Sequence, residues 1–208
     1  MRARCPHDQT AKMAVLRFPM NISAVLLAGG ESRRMGEDKA TLLFHGKPLW
    51  QIQLELLRKL DPAEIFVSAR TDPAWRPDDV QFVADDSPSR GPLSGLAASL
   101  NLMRGTHLLA LAIDMPFMSE SYLRSLCLEI EPRRGVLPKI DNRAEPLAAI
   151  YPREAGIDFR NALAGADFSL QILTSRLVKA GKLRAISVSD EAREFFRNVN
   201  QPADVRSG

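Results

Sequence analysis

Cysteine is almost missing from this chain: Cys5 and Cys127 are the only two in 208 residues. They stand far apart, form no CxxC pair and have no histidine at metal-ligand spacing, which argues against a disulfide scaffold and a zinc site. Scarce thiols fit a reducing compartment, so a cytoplasmic location is expected. Histidine is equally sparse. His7, His45 and His107 are too scattered to argue a Ser-His-Asp or Cys-His arrangement. Long apolar runs are lacking too. The best, Leu108 to Ile113, falls far short of the roughly 20 residues that cross a bilayer, so no membrane partner is expected. An excess of positive charge is lacking where it would matter. The net charge is +3, but residues 1–20 carry Arg2, Arg4, Lys12 and Arg17 against Asp8 alone, and the other 188 residues balance 24 basic with 24 acidic side chains. The body offers no electrostatic footprint for nucleic acid.

The composition is that of a globular protein, 45% hydrophobic and 25% charged, and the length suits one domain. Residues 1–20 read as a disordered tail, a weak targeting segment or sequence upstream of a start at Met20. The last is favoured, because Met20 immediately precedes the first strong strand. A single folded domain is expected over residues 21–208.

From residue 21 strands and helices alternate. Ile22–Leu27 is an apolar β run ended by Ala28-Gly29-Gly30. Pro48 to Leu60 has Leu49, Ile52, Leu56, Leu57 and Leu60 at helical spacing. Glu64–Ala69 and Val80–Ala84 read as strands, Pro92–Arg104 as a small-residue helix, and His107–Ile113 as a strand buried on both faces. Ser119 can cap a helix running to Glu129. Glu145–Tyr151 reads as a strand, Ser169–Ala180 as a helix with Gly181 at its C′ position, and Leu183–Val188 and Phe195–Val199 as late strands. This alternation predicts a single-domain, three-layer α/β/α sandwich, Rossmann-like, with a mostly parallel sheet. Ligands of such sheets bind beyond the carboxyl ends of the strands, where residues 28–38, 85–92 and 114–118 should gather.

The most informative stretch is Leu27-Ala28-Gly29-Gly30-Glu31-Ser32-Arg33-Arg34-Met35-Gly36-Glu37-Asp38-Lys39. Its glycines let backbone N–H groups approach a ligand. Arg34 can fork two phosphate oxygens and Lys39 adds a point charge, which suits a triphosphate. Glycine-rich surface loops with solvated charges are also common. The stretch is neither a P-loop nor GxGxxG. Asp114 ends a buried strand before Met115-Pro116. A hard oxygen there suits Mg²⁺, which binds through one or two carboxylates and substrate phosphates, although strand-end aspartates are often turn formers. Asp85 and Asp86 read as surface acids in a turn before Pro88. Asn198 and Asn200 read as turn amides before Pro202.

Leu27 to Lys39, Gly46-Lys47-Pro48-Leu49, Asp86-Ser87 with Gly91-Pro92-Leu93-Ser94-Gly95, Asp114-Met115-Pro116 and Asn198-Val199-Asn200 stand in one order over nearly the whole body. Together they resemble the molybdenum cofactor guanylyltransferase family. The resemblance implies transfer of GMP from GTP to molybdopterin, with Leu27, Ala28, Gly29, Gly30, Lys39, Asp86 and Asp114 binding nucleotide, Asp114 holding Mg²⁺, and Arg34, Lys39 and Asp114 serving catalysis. It implies GTP and molybdopterin as partners, with a recipient molybdoenzyme or a cofactor-delivery protein beside them. Gly30, in Leu-Ala-Gly-Gly, tilts the base choice to guanine, since Leu-Ala-Ala-Gly is usual in cytidylyl relatives. Ser68 departs from the family's frequent asparagine at that position. A cytidylyltransferase of the same cofactor, another sugar-phosphate nucleotidyltransferase and a non-catalytic nucleotide-binding module are the competing readings. N-terminal mass measurement on the native protein checks the expected start: a chain beginning at Met20 is the expected result, and one beginning at Met1 or Arg2 counts against it.

Overall fold

Apolar residues that alternate along short strands dictate the architecture. The structure, a computed structural model, describes residues 21–29, 38–85 and 88–199. The expectations for residues 1–20, Gly30, Arg34, Asp86 and Asn200 lie outside the described residues. In chain order the elements are β1 (Ile22–Leu27), a hairpin of β2 (Leu43–Phe44) and β3 (Lys47–Pro48), α1 (Leu49–Lys59), β4 (Glu64–Ala69), β5 (Gln81–Ala84), α2 (Pro92–Leu102), β6 (His107–Ala112), α3 (Glu120–Leu128), β7 (Gly135–Ile140), β8 (Arg143–Ala144), β9 (Ile150–Pro152), α4 (Gly156–Ala164), α5 (Leu170–Lys179) and β10 (Leu183–Ser187). Ser119 caps α3, its side chain accepting from Tyr122 N, and Gly181 takes φ +73 after α5, both as read from the sequence.

The sheet order is β10-β7-β9-β6-β1-β4-β5, with β8 added on β7. β9 runs antiparallel to β6 and β7, and β8 antiparallel to β7; the other pairings are parallel. Residues on alternate sides of the strands feed two cores. Ala24, Leu26, Val67, Leu109 and Leu111 pack with Leu54 and Leu57 of α1 and Leu123 and Leu126 of α3. Val25, Leu27, Phe66, Leu108 and Ala110 pack with Leu93 and Leu96 of α2, Phe159 of α4 and Leu173 and Leu177 of α5. This is the expected three-layer α/β/α sandwich.

The topology also fixes where a ligand can enter. From β1 the chain steps outward to β4 and β5, then α2 carries it back to β6 on the other side of β1. Strand order reverses between β1 and β6, and such a switch point opens a crevice at the strands' carboxyl ends.

Some elements differ from expectation. Residues 195–199 are not a strand. A 3-10 run covers Asp190–Phe196, because Ala192 and Phe196, four apart, are the buried pair. The strand expected over 145–151 is regular only at Ile150–Pro152, although Ala149 O and Leu147 O still accept from Ala110 N and Ala112 N. β7 was hidden by Pro138, which argues against an interior strand. Pro138 sits beyond Val136, the one position at which β9 pairs with β7, so the donor it lacks is not needed there. α4 was hidden because Ile157 is exposed while Phe159 is buried, which breaks the apolar stripe. The β2–β3 hairpin turns through His45 (φ 49) and Gly46 (φ 78).

His107, at the start of β6, is 4% exposed, and its Nε2 faces the carbonyl oxygens of Glu131 (3.1 Å) and Arg134 (3.3 Å). Carbonyls only accept, so Nε2 carries the proton. Burial holds this imidazole below its usual pKa, against the pull of those carbonyls. The unfolded histidine takes up its second proton near pH 6.5 while the folded one resists, so stability falls as pH drops below about 6.5. Urea midpoints measured from pH 7.5 to 5.5 should decline, and His107→Gln should flatten that decline. Separately, a Cβ on Gly135 would stand 1.9 Å from Ile150 O. Gly135→Ala should cost about 1–3 kcal/mol by overpacking, read as a lower urea midpoint at unchanged m-value.

Candidate active site

The site is assembled from strand ends. Where β1 stops, the amides of Ala28 and Gly29 both donate to Ser68 O of β4, at 2.9 and 3.1 Å. The chain therefore leaves the sheet still fastened to its neighbour. A Cβ on Gly29 would lie 3.1 Å from Asp85 Oδ2, so glycine lets the two strand ends close on each other. On the other side of β1, Ile113 N donates to Leu27 O (3.1 Å) and delivers Asp114 to the rim.

Lys39 reaches the same rim from the opposite direction. It opens the 3-10 turn Lys39–Thr41, whose cap is Asp38: Oδ1 accepts from Ala40 N at 3.0 Å, and the Asp38 carbonyl accepts from Thr41 Oγ1 at 2.8 Å. Lys39 Nζ donates to Asp114 Oδ2 at 2.8 Å, with both side chains about one-fifth exposed. The contact joins residues 75 positions apart. It places one cation and one carboxylate at the switch point between β1 and β6.

The cleft here, about 270 Å³, is lined by Ala28, Gly29, Lys39, Arg70, Asp85 and Asp114 among others. Asp85 is partly buried; its Oδ1 accepts from Ser68 Oγ (2.8 Å) and its Oδ2 from Ser89 Oγ (3.0 Å). The Gly-Pro-Leu-Ser-Gly stretch has a packing reason. Gly91 takes φ +64 to turn the chain into α2, and Pro92 occupies the helix's first turn. A Cβ on Gly95 would stand 2.2 Å from Ser68 Oγ, so that glycine lets α2 lie against β4. The start of α2 consequently borders the cleft, where the positive end of the helix dipole favours anions.

Two further segments close the rim. Leu147 lines the cleft, and Tyr151 Oη fixes its turn by donating to Pro146 O at 2.6 Å. Burial raises the pKa of nearby Glu145, with Arg143 pulling it the other way. Val199 N donates to Asp114 O at 2.8 Å, so the Asn198-Val199 segment is tied to the main chain of Asp114, while the Asn198 side chain is exposed.

Leu27, Ala28, Gly29, Lys39 and Asp114, singled out in the sequence, therefore meet on one rim. Asp85, read there as a surface acid, lies on the cleft instead. Arg70 and Ser89 also line it, and neither carried a signal beyond its place just after or before a regular element. Among the described residues no three His, Cys, Asp or Glu side chains cluster as a metal cage. Asp114 supplies a single hard oxygen donor set, which fits an ion that arrives on a triphosphate and keeps other ligands from phosphate and water.

Comparison with known proteins agrees with this geometry. The sequence model of the MobA-like NTP transferase domain matches residues 24–180. A molybdenum cofactor guanylyltransferase of Xanthomonas euvesicatoria is 40% identical over 181 residues, covering 86% of this chain and 90% of that protein. A probable molybdenum cofactor guanylyltransferase of Opitutus terrae is 33% identical over 186 residues, covering 88% and 92%. The crystal structure of molybdopterin-guanine dinucleotide biosynthesis protein A from Archaeoglobus fulgidus superposes with a TM-score of 0.71 at 26% identity, covering 89% of this chain and 95% of that one. With its strand-end cleft and matching length, the chain belongs to the MobA-like NTP transferase family.

Proposed function

We propose that this protein transfers GMP from GTP to the terminal phosphate of molybdopterin, releasing pyrophosphate and forming the guanine dinucleotide cofactor. The names of its relatives support the substrates. The observation that carries the chemistry is the Lys39–Asp114 pair at the switch point. In the structure the two charges face each other at 2.8 Å. A metal–triphosphate presents the complementary pair, phosphate oxygens for the ammonium and a cation for the carboxylate, so both side chains can exchange partners without moving far.

An oxygen of the acceptor phosphate attacks the α-phosphorus in line as pyrophosphate leaves. That oxygen is already ionised near neutral pH, so no side chain has to remove a proton. The demand on the protein is to align two mutually repelling polyanions and to stabilise charge moving onto the leaving group. Lys39 holds phosphate oxygens, the Ala28–Gly29 turn gives the nucleotide a surface without side chains in the way, and the start of α2 adds its partial positive charge. Mg²⁺, held by Asp114 with the triphosphate, would neutralise phosphate oxygens. Gly30, Arg34 and Asp86 belong to this reading on their sequence pattern. A cytoplasmic enzyme handing its product to a recipient molybdoenzyme completes it.

Incubation with GTP, Mg²⁺ and molybdopterin, followed by product mass analysis, tests the assignment. Guanine dinucleotide product is expected, with CTP turned over more slowly than GTP. Lys39→Ala and Asp114→Ala should each lower turnover by about 100-fold or more with melting temperatures near wild type. Wild-type rates in either variant, or CTP used as fast as GTP, would overturn the reading.

A further inference from the structure

The motif that ends in Lys39 also carries Asp38, a charged residue whose work the proposed chemistry does not use. Asp38 divides its carboxylate between two donors. Oδ1 accepts from Ala40 N and caps the turn on which Lys39 rides; Oδ2 accepts from Trp75 Nε1 at 2.7 Å. An indole N–H can only donate, so this bond has one possible sense, and an ionised acceptor makes it a strong one.

Trp75 is itself held. It lies in the connection between β4 and β5, and its ring stacks on that of Trp50 with centroids 5.5 Å apart and planes 14° from parallel. Trp50 sits in the first turn of α1 beside the fully buried Leu49. Trp75 also borders a depression of about 190 Å³ that shares Ala28, Gly29 and Arg70 with the main cleft. A continuous series of contacts therefore runs from α1 through Trp50, Trp75 and Asp38 to the turn that aims the Lys39 ammonium at Asp114.

We infer that Trp75 is a positioning residue for Lys39, acting through Asp38 and buttressed by Trp50. A lysine stem has many rotamers, and the position of its ammonium is only as well defined as the backbone that bears it. The short turn at Lys39–Thr41 has little intrinsic stiffness. The indole bond fixes the Asp38 carboxylate in the orientation that caps it. Affinity for the triphosphate thus depends on a side chain that need not touch the nucleotide.

This inference rests on Lys39 as a triphosphate ligand, and the test separates the two. MgGTP affinity is measured by calorimetry on the full chain for wild type, Trp75→Phe, Lys39→Ala and the double variant. Trp75→Phe keeps an aromatic ring to stack on Trp50 and removes the indole N–H with part of the ring. It should weaken MgGTP binding about tenfold, the usual worth of a hydrogen bond to a charged group. In the Lys39→Ala background the same change should alter affinity less than twofold, because the residue it positions is gone. Asp38→Asn, which would present an amide N–H₂ to the indole or lose the cap, should match Trp75→Phe and covers the case in which that variant folds poorly. Binding by Trp75→Phe within twofold of wild type, or an equal loss in both backgrounds, would overturn the tryptophan's role. Wild-type affinity in Lys39→Ala, or no triphosphate binding by the wild-type protein, would overturn the reading of the site itself.

Discussion

One charge pair organises the functional end of this molecule. Lys39 Nζ and Asp114 Oδ2, 2.8 Å apart, span the crevice where strand order reverses. As a contribution to stability the pair is modest, since both side chains are partly open to solvent and exposed pairs gain little. Under the proposed function its value is positional: it holds opposite charges together where a metal-bound polyanion would settle.

Everything that brings the pair together is ordinary α/β construction. The β1–β6 register carries Asp114 two residues past the end of β6, and Ile113 N on Leu27 O locks that exit. The double hydrogen bond to Ser68 O turns the chain out of β1, and Gly95 lets α2 press against Ser68 from behind. Ser68 then also donates to Asp85. One small hydroxyl residue thus serves the β1 exit, the packing of α2 and the Asp85 carboxylate together.

The core strands were legible because their signal is local. β1, β4 and β6 are short apolar runs bounded by turn residues, and the helices with a clean apolar stripe, α1 and α5, were equally plain. What escaped depended on partners far along the chain. β7 is a strand despite Pro138 because β9 meets it at a single residue, a fact of pairing that no window on the sequence contains. The Phe195–Phe196 pair resembles a strand until Tyr122 is seen packing against both rings. In the site, Lys39 and Asp114 could be named from motif residues, but their direct contact could not. Asp85 reads as a surface acid beside the motif residue Asp86, whereas in the structure it lines the cleft, partly buried under two serine donors. Trp75 had no motif at all; its link to Asp38 exists only in three dimensions.

Under the proposed function, a metal-bound triphosphate replaces the mutual contact of Lys39 and Asp114. A crystal structure of the protein grown with Mg²⁺ and a non-hydrolysable GTP analogue tests it most directly. The expected result is phosphate oxygens against Lys39 Nζ and the ion on the Asp114 carboxylate, within one cleft. Triphosphate bound elsewhere, with the Lys39–Asp114 contact intact, would contradict it.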